Sequence, residues 1–478
     1  MSDSHSLETP QLSDDDKTLK SKTTVAQYAC ATVNVAHRRL ILEFHPAYFV
    51  SIMGCGISSV ILHNFPYPAY WLEVCGCIMW GFAVFFFILT FPSFIISMVT
   101  VPGNFLKFHR DANTSVYLGG LSMGYTTTFV NFLFGITSKS FIIGIYVLWW
   151  ISLVSSLYCA IVIFYFGIIA KYRKKYNLLT SETVSATLLF PVVTLTVTAS
   201  AGALICPDLP SINLQVLTLV ICYLLWAWAV ALAFIIISIY YGRLFIHKIP
   251  ATGLVFSSFL PVGVMGQGAF GILLIGRDIY TLVMENHESV LSSPYMSYVN
   301  STAIDVGQSV DSVTASFIVG TCFIYFTALM SLFLNAFGMF STIIAVMSCL
   351  SKIYPFTKNH NPQWTYMTEN HTSFFRRRIR GLIRFSRTFW AMTFPIGTMS
   401  LANSEIATLH KGLHALRVVG AMYGAALIVI DVGCILGTFY CAIQDVRAEV
   451  KVEKQEDSEL DLELSGTSWS NEVTNNHE

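Results

Sequence analysis

Residues Thr388 to Glu405 read TFWAMTFPIGTMSLANSE, and the way this stretch is read decides the fold. It is apolar enough for a bilayer, yet Pro395 and Gly397 stand two residues apart with Thr393, Thr398 and Ser400 beside them. A proline in a helix interior removes one backbone hydrogen bond and frees a carbonyl. Hydrocarbon tolerates this only where neighbouring helices, hydroxyl side chains or a wet cavity satisfy the loose groups. The stretch is therefore expected inside a helical bundle rather than against lipid. Phe259 to Leu274, FLPVGVMGQGAFGILL, repeats the device: Pro261 is followed by Gly263, Gly266, Gly268 and Gly271, and Gln267 is its one strongly polar side chain. We expect these glycines to form a helical face nearly free of side chains.

Composition agrees. The 478 residues are 54% hydrophobic and 12% charged, against about 25% charged in ordinary soluble domains, and the mean hydropathy is +0.61. This is the composition of an all-α polytopic membrane protein. The formal net charge is +0, which gives no reason to expect nucleic acid as a partner. Eleven cysteines are scattered, mostly in apolar runs, with no CxxC and no Cys/His ligand spacing, so neither a metal nor a cofactor is expected. GxSxG, HExxH and P-loop motifs are absent, and the chain does not read as an enzyme.

In chain order, residues 1–39 are polar, without the apolar core of a signal peptide, and are expected to be a disordered cytosolic tail. A transmembrane domain is expected over 40–445 and an acidic, disordered cytosolic tail over 446–478. Ten spans are expected between them: near 44–63, 70–100, 118–136, 141–170, 186–206, 214–241, the glycine-rich seventh, 313–349, the opening stretch as ninth, and 416–441. The odd spans are rich in Pro, Gly, Ser and Thr: Pro46 and Gly54 in the first, Gly124 and Thr127 in the third, Pro191 and Thr194 in the fifth. The even spans carry Phe, Trp, Leu and Ile. A period of two helices implies five helical hairpins around a central pore, odd helices inside and even helices outside. The bland reading of the small residues is close helix packing.

Orientation follows from charge. Loops after even spans hold Lys107 with Arg110, the run KYRKK, Arg243 with Lys248, and an arginine cluster from Arg376 to Arg387. Loops after odd spans are poor in Lys and Arg, so both termini are expected in the cytosol. Of the sequons at Asn113, Asn300 and Asn370, only Asn300 would then face outside and accept a glycan. The segment HTSFFRRRIRGLIRFSR suits either an inner-leaflet amphipathic helix or a solvated basic loop. Asp431 is the one carboxylate placed deep in a span, either as a proton-coupling group or as a hydrogen-bonding residue between helices. A pathway lined by hydroxyls, an amide and helix ends, with no Lys or Arg in mid-span, suits a small anion that must be released again, although the same groups would pass a neutral solute.

The motifs PVGVMGQGAFGILL and WAMTFPIGTMSL, with MGCGISSVILHNFPYPAYWLEVC, IYVLWW and LQVLTLVIC in the same order, resemble the fungal sulfite efflux pumps. These belong to the tellurite-resistance and C4-dicarboxylate transporter family, which includes slow anion channels and malate permeases; the resemblance covers roughly 39–444. It implies a homotrimer in the plasma membrane whose protomers each hold a pore lined by the odd helices and occluded by a phenylalanine on the ninth. On this chain that residue is Phe394, with Phe389 as the competing position. Beside it, Pro261, Gly266, Gln267, Gly268, Pro395, Gly397 and Thr398 become expected lining residues. The implied activity is export of sulfite or hydrogensulfite; a C4-dicarboxylate permease or a passive anion channel of the same fold are the alternatives.

Overall fold

The computed structural model describes residues 27–131, 138–171, 179–180, 182–250, 252–286, 312–351, 385–410 and 412–474. Asn300, Asn370, residues 376–384 and most of KYRKK lie outside them, as do the expectations placed there. Among the described residues there is no strand.

The chain forms two compact units, one from His45 to Ile435 and one from the two chain ends, Met1–Phe44 and Leu436–Glu478. In the terminal unit, residues 27–37 are helical. Arg38 pairs with Glu449 at 3.0 Å, and Arg39 pairs with Asp445 and Glu43 at 3.1 Å each. The last helix continues to Thr474. Within the described residues both tails are thus helical where disorder is expected, because KVEKQEDSELDLEL, though acidic, is made of strong helix formers.

Ten of the helices among the described residues of the other unit are labelled in chain order: α1 (Phe49–His63), α2 (Tyr70–Thr100), α3 (Leu118–Tyr125), α4 (Lys139–Leu157), α5 (Phe190–Ile205), α6 (Ile212–His247), α7 (Leu260–Glu285), α8 (Ser312–Leu350), α9 (Thr393–Leu409) and α10 (His414–Thr474), which continues into the terminal unit; two short helices, Asn104–Arg110 and Ala112–Ser115, lie between α2 and α3. Wide turns extend α3 over Thr126–Val130 and α4 to Ile169. Eight of the ten, all but α3 and α9, are long and apolar enough to cross a membrane. The α3 helix and its extension are short, and α9 is diluted by Pro395, Gly397, Asn403 and Glu405.

Burial alternates along the chain. The most apolar 18-residue stretch is 83%, 94% and 100% buried in the segments containing α1, α5 and α7, but 33%, 39%, 44%, 28% and 22% buried in those of α2, α4, α6, α8 and α10. The α9 helix joins the first group, with Thr393 to Ser400 all buried, and so does α3, where Leu118, Gly119, Gly120, Ser122, Met123 and Gly124 are buried.

The prolines do not kink helix interiors as expected. Pro46 opens a 3₁₀ turn ahead of α1. Pro191 and Pro261 are the second residues of α5 and α7, and Pro395 is the third of α9. Each of these three helices is entered through a 3₁₀ turn, Ala186–Leu189, Thr252–Phe259 or Arg387–Met392. A first-turn proline lacks only an N–H that would have no helical partner anyway. The proline found within a helix body is Pro92, on the exposed side of α2.

Polar side chains of the exposed helices fasten them to the next buried helix. The indole N–H groups of Trp80, Trp149 and Trp226 donate to the carbonyls of Thr128, Thr198 and Gly268 at 2.9, 2.9 and 2.8 Å, joining α2 to the α3 extension, α4 to α5 and α6 to α7. Asn335 of α8 exchanges amide hydrogen bonds with Asn403 of α9 at 3.0 and 3.2 Å. Asp431 of α10 lies fully buried against Ser58 of α1. A tryptophan or amide suits this place because it fills space and delivers one donor where water is absent.

Candidate functional site

The five buried helices touch in a closed cycle. A Cβ built on Gly54 of α1 would lie 2.6 Å from Thr393 Oγ1 and 2.9 Å from the Trp390 ring, and one on Gly397 of α9 would lie 2.8 Å from Ile57. Gly124 of α3 similarly meets Ile52 of α1 at 3.0 Å, and Gly56 of α1 meets Thr127 Oγ1 at 2.5 Å. Gly119 of α3 abuts the Phe190 carbonyl of α5. Gln267 of α7 donates to Ser200 of α5 at 2.5 Å. Gly263 and Gly266 of α7 face Pro395 and Thr398 of α9, at 3.3 and 2.7 Å. Residue numbers rise together across these contacts, so neighbours in the cycle run parallel wherever two or more contacts define the pair. The glycines let backbones approach as side chains would not.

These contacts fix which way each helix faces. At about 100° per residue, α9 turns Thr393 and Gly397 to α1, Pro395 and Thr398 to α7, Met399 to Gly338 of α8, and Ser400 to Gly420 of α10. The sector left between α1 and α7 holds Phe394. The same construction leaves Met53 on α1, Met123 on α3, Val197 on α5, and Gly263 with Phe270 on α7. Met53, Met123, Gly263 and Phe394 share one level, because Gly54 is opposite Thr393, Gly124 opposite Ile52, and Gly263 opposite Pro395. All are buried. Exposure provides an independent check. Seven residues beyond Met53, Val197 and Phe394, about 10.5 Å along each helix, come Val60, Leu204 and Leu401, and all three are partly exposed, as are His63 of α1 and Ser404, Glu405 and Ala407 of α9.

Several expected lining residues sit elsewhere. Gly54, Gly124, Gly266 and Gly397 are helix–helix contacts, and Thr398 caps back onto the Pro395 carbonyl at 2.8 Å. Gly268 faces away from the cycle, toward Leu334, Val230 and Trp226 of the exposed helices. The α7 glycines are not one face, since their spacing spreads them over more than half the circumference. Thr194 donates to Pro191 O at 2.7 Å and reaches Ser156 of α4 at 3.4 Å. Thr198 bonds Ser152 and Ser156, so the α5 hydroxyls clasp α4. Thr127 faces α1 with its hydroxyl donating to the Met123 and Gly124 carbonyls of α3. Gln267 keeps its Oε1 buried and without a hydrogen-bond partner. Pro46, Pro191, Pro261 and Pro395 start helices as described above.

The two phenylalanines differ. Phe389, in the 3₁₀ turn before α9, is half-buried and packs at a tilt against Phe256 at 4.2 Å between ring centroids and against Phe385 at 5.5 Å. Phe394 is 2% exposed and makes no ring–ring contact among the described residues. Near the N-terminal ends of the buried helices, Arg387 lies over the Tyr48 ring at 4.8 Å. His45 packs edge-on to Tyr117 at 5.5 Å. Arg387, Lys107 and Asp111 are the charged groups around this imidazole. At the C-terminal ends, Arg277 of α7 pairs with Glu405 of α9 at 2.9 Å and lies beside Asp278. Sequence reasoning passed over Met53, Met123, Val197 and Phe270, which are ordinary apolar residues, and also over Arg277 and Asp278.

A family model for the voltage-dependent anion channel (SLAC1) matches residues 43–439. The sulfite efflux pump SSU1 of Candida albicans is 37% identical over 422 residues, covering 87% of this chain and 78% of that protein. Its namesake in Saccharomyces cerevisiae is 32% identical over 434 residues, covering 84% and 88%, and that in Trichophyton rubrum is 31% identical over 242 residues, covering 49% and 62%. With a match from before α1 well into α10, the chain belongs to the voltage-dependent anion channel family.

Proposed function

We propose that the protein is a plasma-membrane exporter of sulfite or hydrogensulfite, with ten spans arranged as five hairpins and a pathway on the common axis of α1, α3, α5, α7 and α9. The observation that carries this reading is the closed cycle of buried helices whose inward sectors hold no charge at the level of Phe394, in a chain so similar to sulfite efflux pumps. Phe394 is the gate: with Met53, Met123 and Val197 around it and no side chain on Gly263, the ring closes a dry constriction that an anion crosses only when the ring moves. Both termini are cytosolic, Asn300 carries the glycan, and three protomers assemble, each with its own pathway; the first two rest on loop charge and the third on family resemblance.

A C4-dicarboxylate would need two separated cationic partners, and among the described residues of these five helices Arg277 is the single Lys or Arg, already engaged by Glu405. The deciding experiment is sulfite efflux from cells expressing the protein, with the proton gradient intact and collapsed. Gradient-dependent efflux is expected of the exporter. Efflux that persists undiminished after collapse would replace it with a passive channel, and malate transport without sulfite transport would overturn both.

A further inference from the structure

We propose that Arg277 is the last binding site of the exported anion and that Glu405 is a tethered competitor that reclaims the guanidinium and frees the anion. The proposal rests on reading α7 and α9 as pathway helices whose C-terminal ends lie outside. Arg277 Nη1 donates to Glu405 Oε1 at 2.9 Å, and its Nε lies 3.5 Å from Asp278 Oδ1. Arg277 comes seven residues after Phe270 and fourteen after Gly263, so it continues the inward stripe of α7 with a lag of about 20° per step. On α9, Glu405 stands eleven residues beyond Phe394. It lies within about 20° of that residue's direction, on the side toward α7, and about 16.5 Å further along the helix. The α7 helix is buried from Leu260 to Gly276, and Arg277, the first residue to emerge, has a side chain 41% exposed. The ion pair therefore crosses the outer end of the pathway.

Among the described residues of the five buried helices no other Lys or Arg is present, so an outgoing anion meets their one fixed cation here. A guanidinium offers paired N–H donors that match two oxygens of a small oxyanion. Left free, such a fork would hold the anion too well, since conduction needs binding weak enough to leave. Glu405 keeps a carboxylate beside the fork, and a tethered group acts at an effective concentration on the order of millimolar. Arrival of the anion displaces the carboxylate, and return of the carboxylate displaces the anion. The exchange weakens binding equally for anions arriving from either side. It sets how readily the site empties and leaves the direction of transport to the gradient that drives it.

The test is equilibrium binding of labelled sulfite to the solubilised full-length protein at fixed pH, paired with sulfite efflux from cells. Glu405→Gln is expected to bind sulfite more tightly, roughly two- to fivefold as a partly exposed ion pair allows, and to lower maximal efflux. Arg277→Gln, alone or combined with Glu405→Gln, is expected to bind more weakly than wild type, because the competitor then has nothing to compete for. Unchanged binding in Glu405→Gln overturns the proposal. So does a double variant that binds as tightly as wild type, since the carboxylate would then act as a repelling charge without Arg277. Tighter binding with undiminished efflux places Arg277 off the route and overturns the exit role. Should a single variant fail to fold, the double variant, which leaves neither partner of the pair alone, decides by the same comparison with wild type. Phe394→Ala is the control for the pathway. Raised flux there, with unchanged binding in Glu405→Gln, leaves the pathway standing without this site; unaltered flux there removes the pathway reading and the exit role with it.

Discussion

The inward and the contact-making faces of the same five helices differ in a way their composition does not suggest. The contact faces hold the glycines and hydroxyls: Gly54, Gly124, Gly266 and Gly397 where buried helices meet, Thr194 and Thr198 where α5 meets α4. The inward faces hold Met53, Met123, Val197, Phe270 and Phe394. In a bilayer, lipid tails satisfy apolar side chains as well as another helix does, so helix association falls to close backbone approach and to hydrogen bonds. Small and polar residues are then spent on assembly. Apart from Gly263, what remains to face the axis is bulky and apolar, as the proposed constriction requires.

The contrast breaks first on Gly266→Leu. Its Cβ would meet the α9 backbone, 2.8 Å from Met399 N, and backbone does not yield as a side-chain tip would. Overpacking typically costs about 1–3 kcal/mol and more where nothing can move. We expect little folded protein at the cell surface, while Gly81→Leu, with nothing within 4 Å of its Cβ, should reach the surface normally. Equal surface levels for the two would mean that the glycine contact is not structural.

Phe394→Ala should raise anion flux per surface molecule, and Phe389→Ala should not, because Phe389 is braced by Phe256. A packed ring without a gating role would instead lose about 3–5 kcal/mol on truncation, and protein level would fall together with flux. Reduced flux for Phe394→Ala with a leaky Phe389→Ala would move the gate to Phe389.

A smaller effect is expected from Trp226→Phe, which keeps most of the packing but loses the donor to Gly268. A hydrogen bond of this kind is worth about 1 kcal/mol. The detergent-solubilised protein should melt slightly earlier with unchanged specific flux. A change in flux at constant stability would show that the clasps act on transport.

The smallest effect is expected from Asp431→Asn. The residue occupies in α10 the place held by Trp80, Trp149, Trp226 and Asn335 in the other exposed helices, its side chain meets the Ser58 hydroxyl of α1, and an amide would serve as well. Stability and the dependence of efflux on the proton gradient should both be retained. Loss of gradient dependence alone would make Asp431 the coupling group instead.

The sequence made the alternation of buried and exposed helices legible, because a two-helix period in Pro, Gly, Ser and Thr against Phe, Trp and Leu survives without any knowledge of contacts. It misassigned the purpose of those residues. Pro191 and Pro261 mark helix starts, which a proline's position in its own span cannot reveal until the 3₁₀ turn before it is seen. Met53 and Met123 carry no signal in one dimension, since an inward methionine and a lipid-facing one look alike until the neighbours on either side are known. Arg277 escaped notice because it stands seventeen residues into α7, beyond the glycine-rich stretch, and its partner Glu405 comes from another hairpin.

The closing contact of the cycle joins the first buried helix to the last: Gly54 and Ile57 near the start of the chain meet Trp390, Thr393 and Gly397 near its end. During synthesis α1 emerges long before α9 and α10 exist. Its Gly54 groove and Ser58, which will face Asp431, must wait uncovered while the helices between are made. Every intermediate of translation is thus an open arc with a polar, backbone-exposing seam. A ribosome that stalls before the ninth helix leaves a product whose seam cannot shut.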